Sequence, residues 1–182
     1  MARARAVAKR PVAPRRPPAP RRPAIAVTVR RGAGRAWPRA ATVVRRAIAG
    51  ALGALRAGAV EVSALLAGDA EVQALNRRYR GHDRPTNVLA FPLLVSGRPK
   101  ATPATPGAAV HFGDIVIALP TVRREAAEQG KTRDRHLAHL AVHATLHLMG
   151  YDHDRPAAAR RMEKLEIKIL KNMSIPDPYR VV

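Results

Sequence analysis

The alternation of apolar and polar positions divides the chain into short elements. Residues 25–30, IAVTVR, alternate with a period of two and predict a strand. Val43, Val44, Ile48, Leu52 and Leu55 then recur at the spacing of one helix face, and Pro38 ahead of them suits a first helical turn. Gly58 separates this helix from VEVSALLA (60–67), a second strand. Asp69 is the expected N-cap of a helix over EVQALNRRYR, residues 71–80, with Gly81 as its stop. Val88–Phe91 reads as a short strand ended by Pro92, and residues 93–110, rich in Pro, Gly, Thr and Ala, read as an exposed loop. HFGDIVIAL (111–119) is a further strand with Gly113 and Asp114 at its start.

Helices follow. Pro120 opens TVRREAAEQ, which Gly130 closes. The stretch Asp134–Met149 is apolar nearly all round and is expected to be the buried central helix. A last helix over residues 156–171 presents Met162, Leu165, Ile169 and Leu170 as its core face. This order predicts an α+β domain: a small mixed β-sheet of about four strands packed with about five helices, the central one carrying two candidate metal ligands.

Charge changes the picture at the N-terminal end. Residues 1–60 carry 15 Lys and Arg and no acidic residue, so +15 of the net +20 lies in the first third. Residues 1–24 are mostly Ala, Arg and Pro, and their six prolines with repeated like charges forbid a helix or a packed core. They are expected to form a disordered basic arm, and residues 25–182 the folded domain. Such an excess predicts attraction to polyanions, nucleic acid first. The chain has no cysteine, which excludes disulfides and thiolate ligands and leaves His, Asp or Glu for any metal. No apolar run approaches membrane-spanning length, so a soluble protein is expected.

The chemistry concentrates in HATLHLMGYDH, residues 143–153. His143 and His147 are four residues apart and leave one helix face about a turn apart. Gly150 can end the helix in a left-handed conformation, so that His153 approaches from a third direction. Three neutral imidazoles with one position open are the ligand set of a catalytic zinc site, where the ion lowers the pKa of a bound water to about 7. The spacing is that of proteases with H-E-x-x-H-x-x-G-x-x-H, but position 144 is Ala, so the glutamate base of peptide hydrolysis is missing. A phosphodiester needs chiefly charge neutralisation, which an arginine fork supplies; Arg77, Arg78, Arg80 and Arg84 are the candidates. Asp152 reads first as a turn residue and second as a group that orients a ligand or takes a proton. His136 and His139 fall outside the ligand spacing and are expected either to support the site from behind or to lie on the polar face of the helix.

Three blocks, LNRRYRGHDRPTNVLAFP at 75–92, FGDIVIA at 112–118 and HLAHLAVHATLHLMGYDHD at 136–154, with a last helix carrying Met162, Glu163 and Glu166, resemble the YbeY family of zinc-dependent bacterial endoribonucleases, also described as rRNA maturation factors. The likeness runs from about Ile25 to Tyr179 and leaves the basic arm outside. It implies a small α+β domain in which His143, His147 and His153 bind one zinc ion. It selects Arg80, the arginine of the Y-R-G block, as the catalytic residue. It implies cleavage of single-stranded RNA in small-subunit rRNA 3′-end maturation and ribosome quality control, in the cytoplasm, with rRNA and the small subunit as partners and no membrane. The competing expectation is a non-catalytic ribosome assembly factor with a structural zinc. Two positions depart from the family pattern: Ala90 replaces the usual Ser, and Ala144 the usual Gly.

Overall fold

The computed structural model describes residues 23–33, 36–95, 98–99 and 109–180. The arm expected at 1–24 thus lies outside the described residues except for Pro23 and Ala24. Strands β1 (Ala24–Val29), β2 (Val60–Ala67), β3 (Val88–Pro92) and β6 (Val110–Ala118) form one sheet in the order β1-β2-β6-β3, while β4 (Leu94–Val95) and β5 (Arg98–Pro99) pair with each other. β1, β2 and β6 run parallel, and β3 closes the edge antiparallel to β6. The helices are α1 (Ala40–Ala54), α2 (Asp69–Arg80), α3 (Leu119–Glu128), α4 (Arg133–Leu148) and α5 (Pro156–Asn172). The mixed four-stranded sheet and five helices make the expected α+β fold. No helix among the described residues is long and apolar enough to cross a membrane.

Alternation along the strands assigns the two sheet faces. Val60, Val62 and Leu66 of β2, with Ile115 and Ile117 of β6, join the main core, which α1, α4 and α5 complete. The opposite face holds a small cluster of Ala67, Val72, Leu89, Val116 and Ala118, with Leu75 packed against it; Val72 and Leu75 belong to α2. α4 is the hub expected of an all-round apolar helix: it packs on α1, α3, α5 and β3. Trp37, 1% exposed, locks its start to the α1 side, its Nε1 donating to Asp134 Oδ1 at 2.8 Å.

Gly113 is the backbone position that allows this closure. It follows a register shift between β2 and β6 and adopts φ +143°. A Cβ there would lie 2.2 Å from the carbonyl oxygen of Phe91 and 3.0 Å from a methyl of Leu148, so only glycine lets β3 and α4 approach together.

Four local expectations need correction. Pro38 is not in the first turn of α1; it lies in a turn before Arg39, the N-cap, and the helix starts at Ala40. Asp69 does not cap α2, whose N-cap is Gly68. Its carboxylate instead accepts from the backbone N–H (3.1 Å) and hydroxyl (2.8 Å) of Thr121, capping α3 across the fold. The loop expected at 93–110 contains the backbone pairing between β4 and β5. Strand β6 begins at Val110, which puts Gly113 and Asp114 in its middle rather than at its start.

Candidate functional site

α4 builds most of the site. Its N-terminus is capped by Thr132, whose hydroxyl accepts from the N–H of Arg135. On one side of it the half-buried His143 and His147 lie one turn apart, with Nε2 atoms 3.1 Å from each other. Past the C-cap Met149, Gly150 takes φ +85°, and the N–H of Tyr151 donates to Leu146 O at 3.0 Å, the turn expected of a left-handed glycine. That reversal brings His153 back, its ring 5.0 Å from that of His147 and 5.5 Å from that of His143. One nitrogen from each of the three lies within 4.8 Å of the others, so the trio can hold a metal ion.

The donor chemistry fits a cation. Glu166 on α5 is fully buried. Burial pushes its pKa up, but hydrogen bonds from His139, His143 and Tyr179 outweigh this and hold it at about 2. A carboxylate ionised at neutral pH only accepts, so His143 Nδ1, 2.8 Å from Oε1, carries the ring proton. The lone pair of His143 Nε2 therefore faces His147. Burial lowers the pKa of His147, and the neighbouring His143 and His153 lower it further, which favours its neutral, ligating form. A tetrahedral ion with Zn–N near 2.05 Å separates its nitrogens by about 3.3 Å, close to the observed 3.1 Å.

Behind the three imidazoles runs a polar network whose acceptors, Glu166 and Glu125, and whose partner Tyr179 the sequence reading did not place there. His139 Nε2 donates to Glu166 Oε2 at 2.8 Å, and the Tyr179 hydroxyl donates to the same oxygen. Lys131 Nζ donates to the carbonyl of Pro178 at 2.7 Å and fixes the segment carrying Tyr179. Farther along, His136 Nε2 pairs with Glu125 Oε2 at 2.9 Å, and Glu125 accepts from Asn87 Nδ2 at 3.0 Å. Of the two readings, His139 takes the supporting one through Glu166, while His136 reaches the cleft only through Glu125 and Asn87. Leu165, expected on the core face of the last helix, is only partly buried, and Glu166 takes the fully buried place beside Met162, Ile169 and Leu170. An acidic residue in register with three apolar ones was the signal available in the sequence.

These imidazoles line a cleft of about 390 Å³ that Arg80, Asn87, Ala90 and Ala144 also line. Of the four candidate arginines, Arg80 alone lines it. Gly81, at φ +72°, ends α2 directly after Arg80. Arg77 instead pairs with Asp83 at 3.9 Å, and Arg78 lies 5.4 Å from the Tyr79 ring centroid. Arg84 uses its backbone carbonyl to accept from Asn76. Asp152 accepts from the N–H of Asp154 and is a turn residue outside the cleft. With Ala144 in its wall, the cleft has no carboxylate where a peptidase of this spacing would carry one.

Comparison with known proteins agrees with this geometry. Residues 35–174 match the family described as Endoribonuclease YbeY. The chain is 46% identical over 144 residues to Endoribonuclease YbeY of Bradyrhizobium sp., covering 78% of this chain and 83% of that protein. It is 47% identical over 147 residues to the Nitrobacter winogradskyi protein of the same name, covering 80% and 76%. The solution structure of TM1509 from Thermotoga maritima superposes with a TM-score of 0.54 at 23% identity, over 86% of this chain and 99% of that one, and shares the fold. With a match that spans most of the described domain and every block around the three imidazoles, the chain belongs to the YbeY endoribonuclease family.

Proposed function

We propose that this protein is a zinc-dependent endoribonuclease that cuts single-stranded RNA during maturation of the small-subunit rRNA 3′ end and in ribosome quality control, acting in the cytoplasm. The observation that carries the reading is the convergence of three imidazoles and Arg80 on one open cleft, in a chain of an endoribonuclease family. One zinc ion held by His143, His147 and His153 supplies Lewis acidity and positive charge at the reacting phosphate. Imidazole ligation accommodates other divalent metals too, and cellular availability favours zinc.

The chain's own residues do the rest. Arg80 presents a planar fork that pairs two non-bridging phosphoryl oxygens and stabilises the charge that grows on them as the attacking oxygen, from water or from the 2′-hydroxyl, approaches. Glu166 holds His143 in one tautomer, with its bare nitrogen turned to His147 and free to hold a metal. Single strands are the preferred substrate, because a duplex does not easily deliver its backbone into a narrow groove. The open side of the imidazole cluster disfavours the alternative, an assembly factor whose zinc is purely structural.

The test is single-turnover cleavage of labelled single-stranded RNA by the zinc-loaded protein. Cleavage is expected to vanish with a chelator, return with zinc, and fall at least a hundredfold in Arg80→Ala with zinc content unchanged. RNA left intact by the unmodified protein, or cut equally well by Arg80→Ala, refutes the reading.

A further inference from the structure

A second cleft, of about 560 Å³, opens on the sheet face turned away from the imidazoles. Leu65, Val116 and Phe91 line it with apolar surface, and Thr28, Ser63 and Asp114 add polar groups. Arg30 and Glu71, also in its wall, satisfy one another through a paired contact at 3.0 and 3.3 Å. α2, the helix on this face, leaves the space uncovered.

The two clefts share their walls residue by residue. On α2, Tyr79 lines this cleft and Arg80 the imidazole cleft; on β3, Phe91 lines this one and Ala90 the other. β3 is the edge strand, so the clefts lie on either side of one sheet edge. A strand of RNA whose phosphate sits at Arg80 has its neighbouring nucleotide at that edge.

Tyr79 is 58% exposed, an aromatic ring left in solvent at the mouth of the second cleft. Its orientation is fixed: Phe91 meets it edge-on, with centroids 5.2 Å apart at 68°, and the Arg78 guanidinium lies 5.4 Å from its centroid. A braced, exposed ring flanked by arginines is the platform on which unpaired bases stack. The carboxylate of Asp114, 3.4 Å from His111 Nε2, repels a phosphate but accepts from the N–H groups of a base edge. Charge therefore sorts the nucleotide, with its phosphate toward Arg80 and its base toward the cleft.

We propose that this second cleft is a nucleobase subsite, in which a base flanking the scissile phosphate stacks on Tyr79 and is hydrogen-bonded at its edge by Thr28, Ser63 and Asp114. It rests on the reading of the protein as an RNA-cutting enzyme. Tyr79 is then a substrate-binding residue that sets where the RNA is held, outside the metal machinery.

The zinc-loaded full chain is first used to map cleavage of a short single-stranded RNA. Affinity is then read by fluorescence anisotropy on the same RNA with the cut linkage blocked as a 2′-deoxy methylphosphonate and an abasic site walked along it. One abasic position next to the cut is expected to weaken binding about tenfold, the weight of one base–aromatic stack. Tyr79→Ala is expected to weaken binding of intact RNA by the same factor and of that abasic RNA no further, while Tyr79→Phe binds as the parent does. Unchanged affinity in Tyr79→Ala, or losses that multiply between the variant and every abasic position, overturns the subsite and leaves the cleft to another occupant such as a protein segment. If the unmodified protein cuts nothing, the uncut RNA serves directly. Coupling between Tyr79 and one base then upholds the subsite while the nuclease reading fails.

Discussion

Replacing Glu166 with glutamine tests the network behind the ligands most directly. The carboxylate is fully buried and receives His143 on one oxygen and His139 and Tyr179 on the other. Glutamine keeps the shape, removes the charge and puts an NH2 donor where one oxygen accepted. If that NH2 faces His143, the imidazole must move its proton to Nε2, the atom that faces His147 and would otherwise hold the metal. If it faces the other way, His139 and Tyr179 lose their acceptor. The carboxyl is held at about 2 against an ordinary 4.5, so its partners favour the charged form over a neutral one by on the order of 3 kcal/mol. Relief of the buried charge is already inside that balance. The expected loss of stability is therefore about 3 kcal/mol, a fall in Tm of roughly 6–12 °C for a domain of this size. Zinc affinity should fall about 10- to 100-fold, as for other residues that orient a metal-binding imidazole. Thermal melts of the metal-free protein and zinc competition against a chromophoric chelator read the two effects. A folded Glu166→Gln protein that binds zinc within about twofold of the parent and melts at the same temperature refutes the assignment.

Other outcomes follow from the same geometry. Because the folded-state pKa of Glu166 is depressed, the unfolded chain binds more protons between about pH 4.5 and 2; its contribution to stability is present above 4.5 and is lost as pH falls through that window, a slope that Glu166→Gln should flatten in pH-dependent urea melts. Gly113→Ala places a Cβ 2.2 Å from Phe91 O at φ +143°, so denaturant unfolding should show a loss of about 2–4 kcal/mol, and a change under about 0.5 kcal/mol contradicts the close approach. Deleting residues 1–22 removes eight arginines and lysines, so RNA affinity should drop and the slope of log K against log salt should flatten by about 0.7 for each phosphate the arm had neutralised; an unchanged slope means the arm does not touch RNA. His147→Ala leaves two imidazoles, and zinc titration should show at least a hundredfold weaker binding, with chelator-sensitive cleavage abolished.

What could be read from the sequence was whatever depends on near neighbours along the chain. The four-residue step from His143 to His147 is a property of any helix, and the turn at Gly150 needs only a residue that tolerates positive φ. The period-two runs of VEVSALLA and HFGDIVIAL and the all-round apolar α4 were legible for the same reason, and so was the fold class. Asp69 shows where that reasoning stops. Its residue type correctly signalled a helix cap, but it caps α3, 52 residues away, because the fold brings its carboxylate to the N–H of Thr121. The periodicity of α5 likewise could not choose between Leu165 and Glu166, since whether a carboxylate is tolerable in a core depends on partners 23 and 27 residues distant. The four arginines near the end of α2 are alike in composition, and only the crossing of the β3 edge directs Arg80 to the imidazoles and Tyr79 to the opposite face. Local spacing thus determined which atoms were available to a metal. The packing of α2, α4 and α5 about the sheet decided which other groups meet them, because hydrogen bonds and charge act across space and not along the chain.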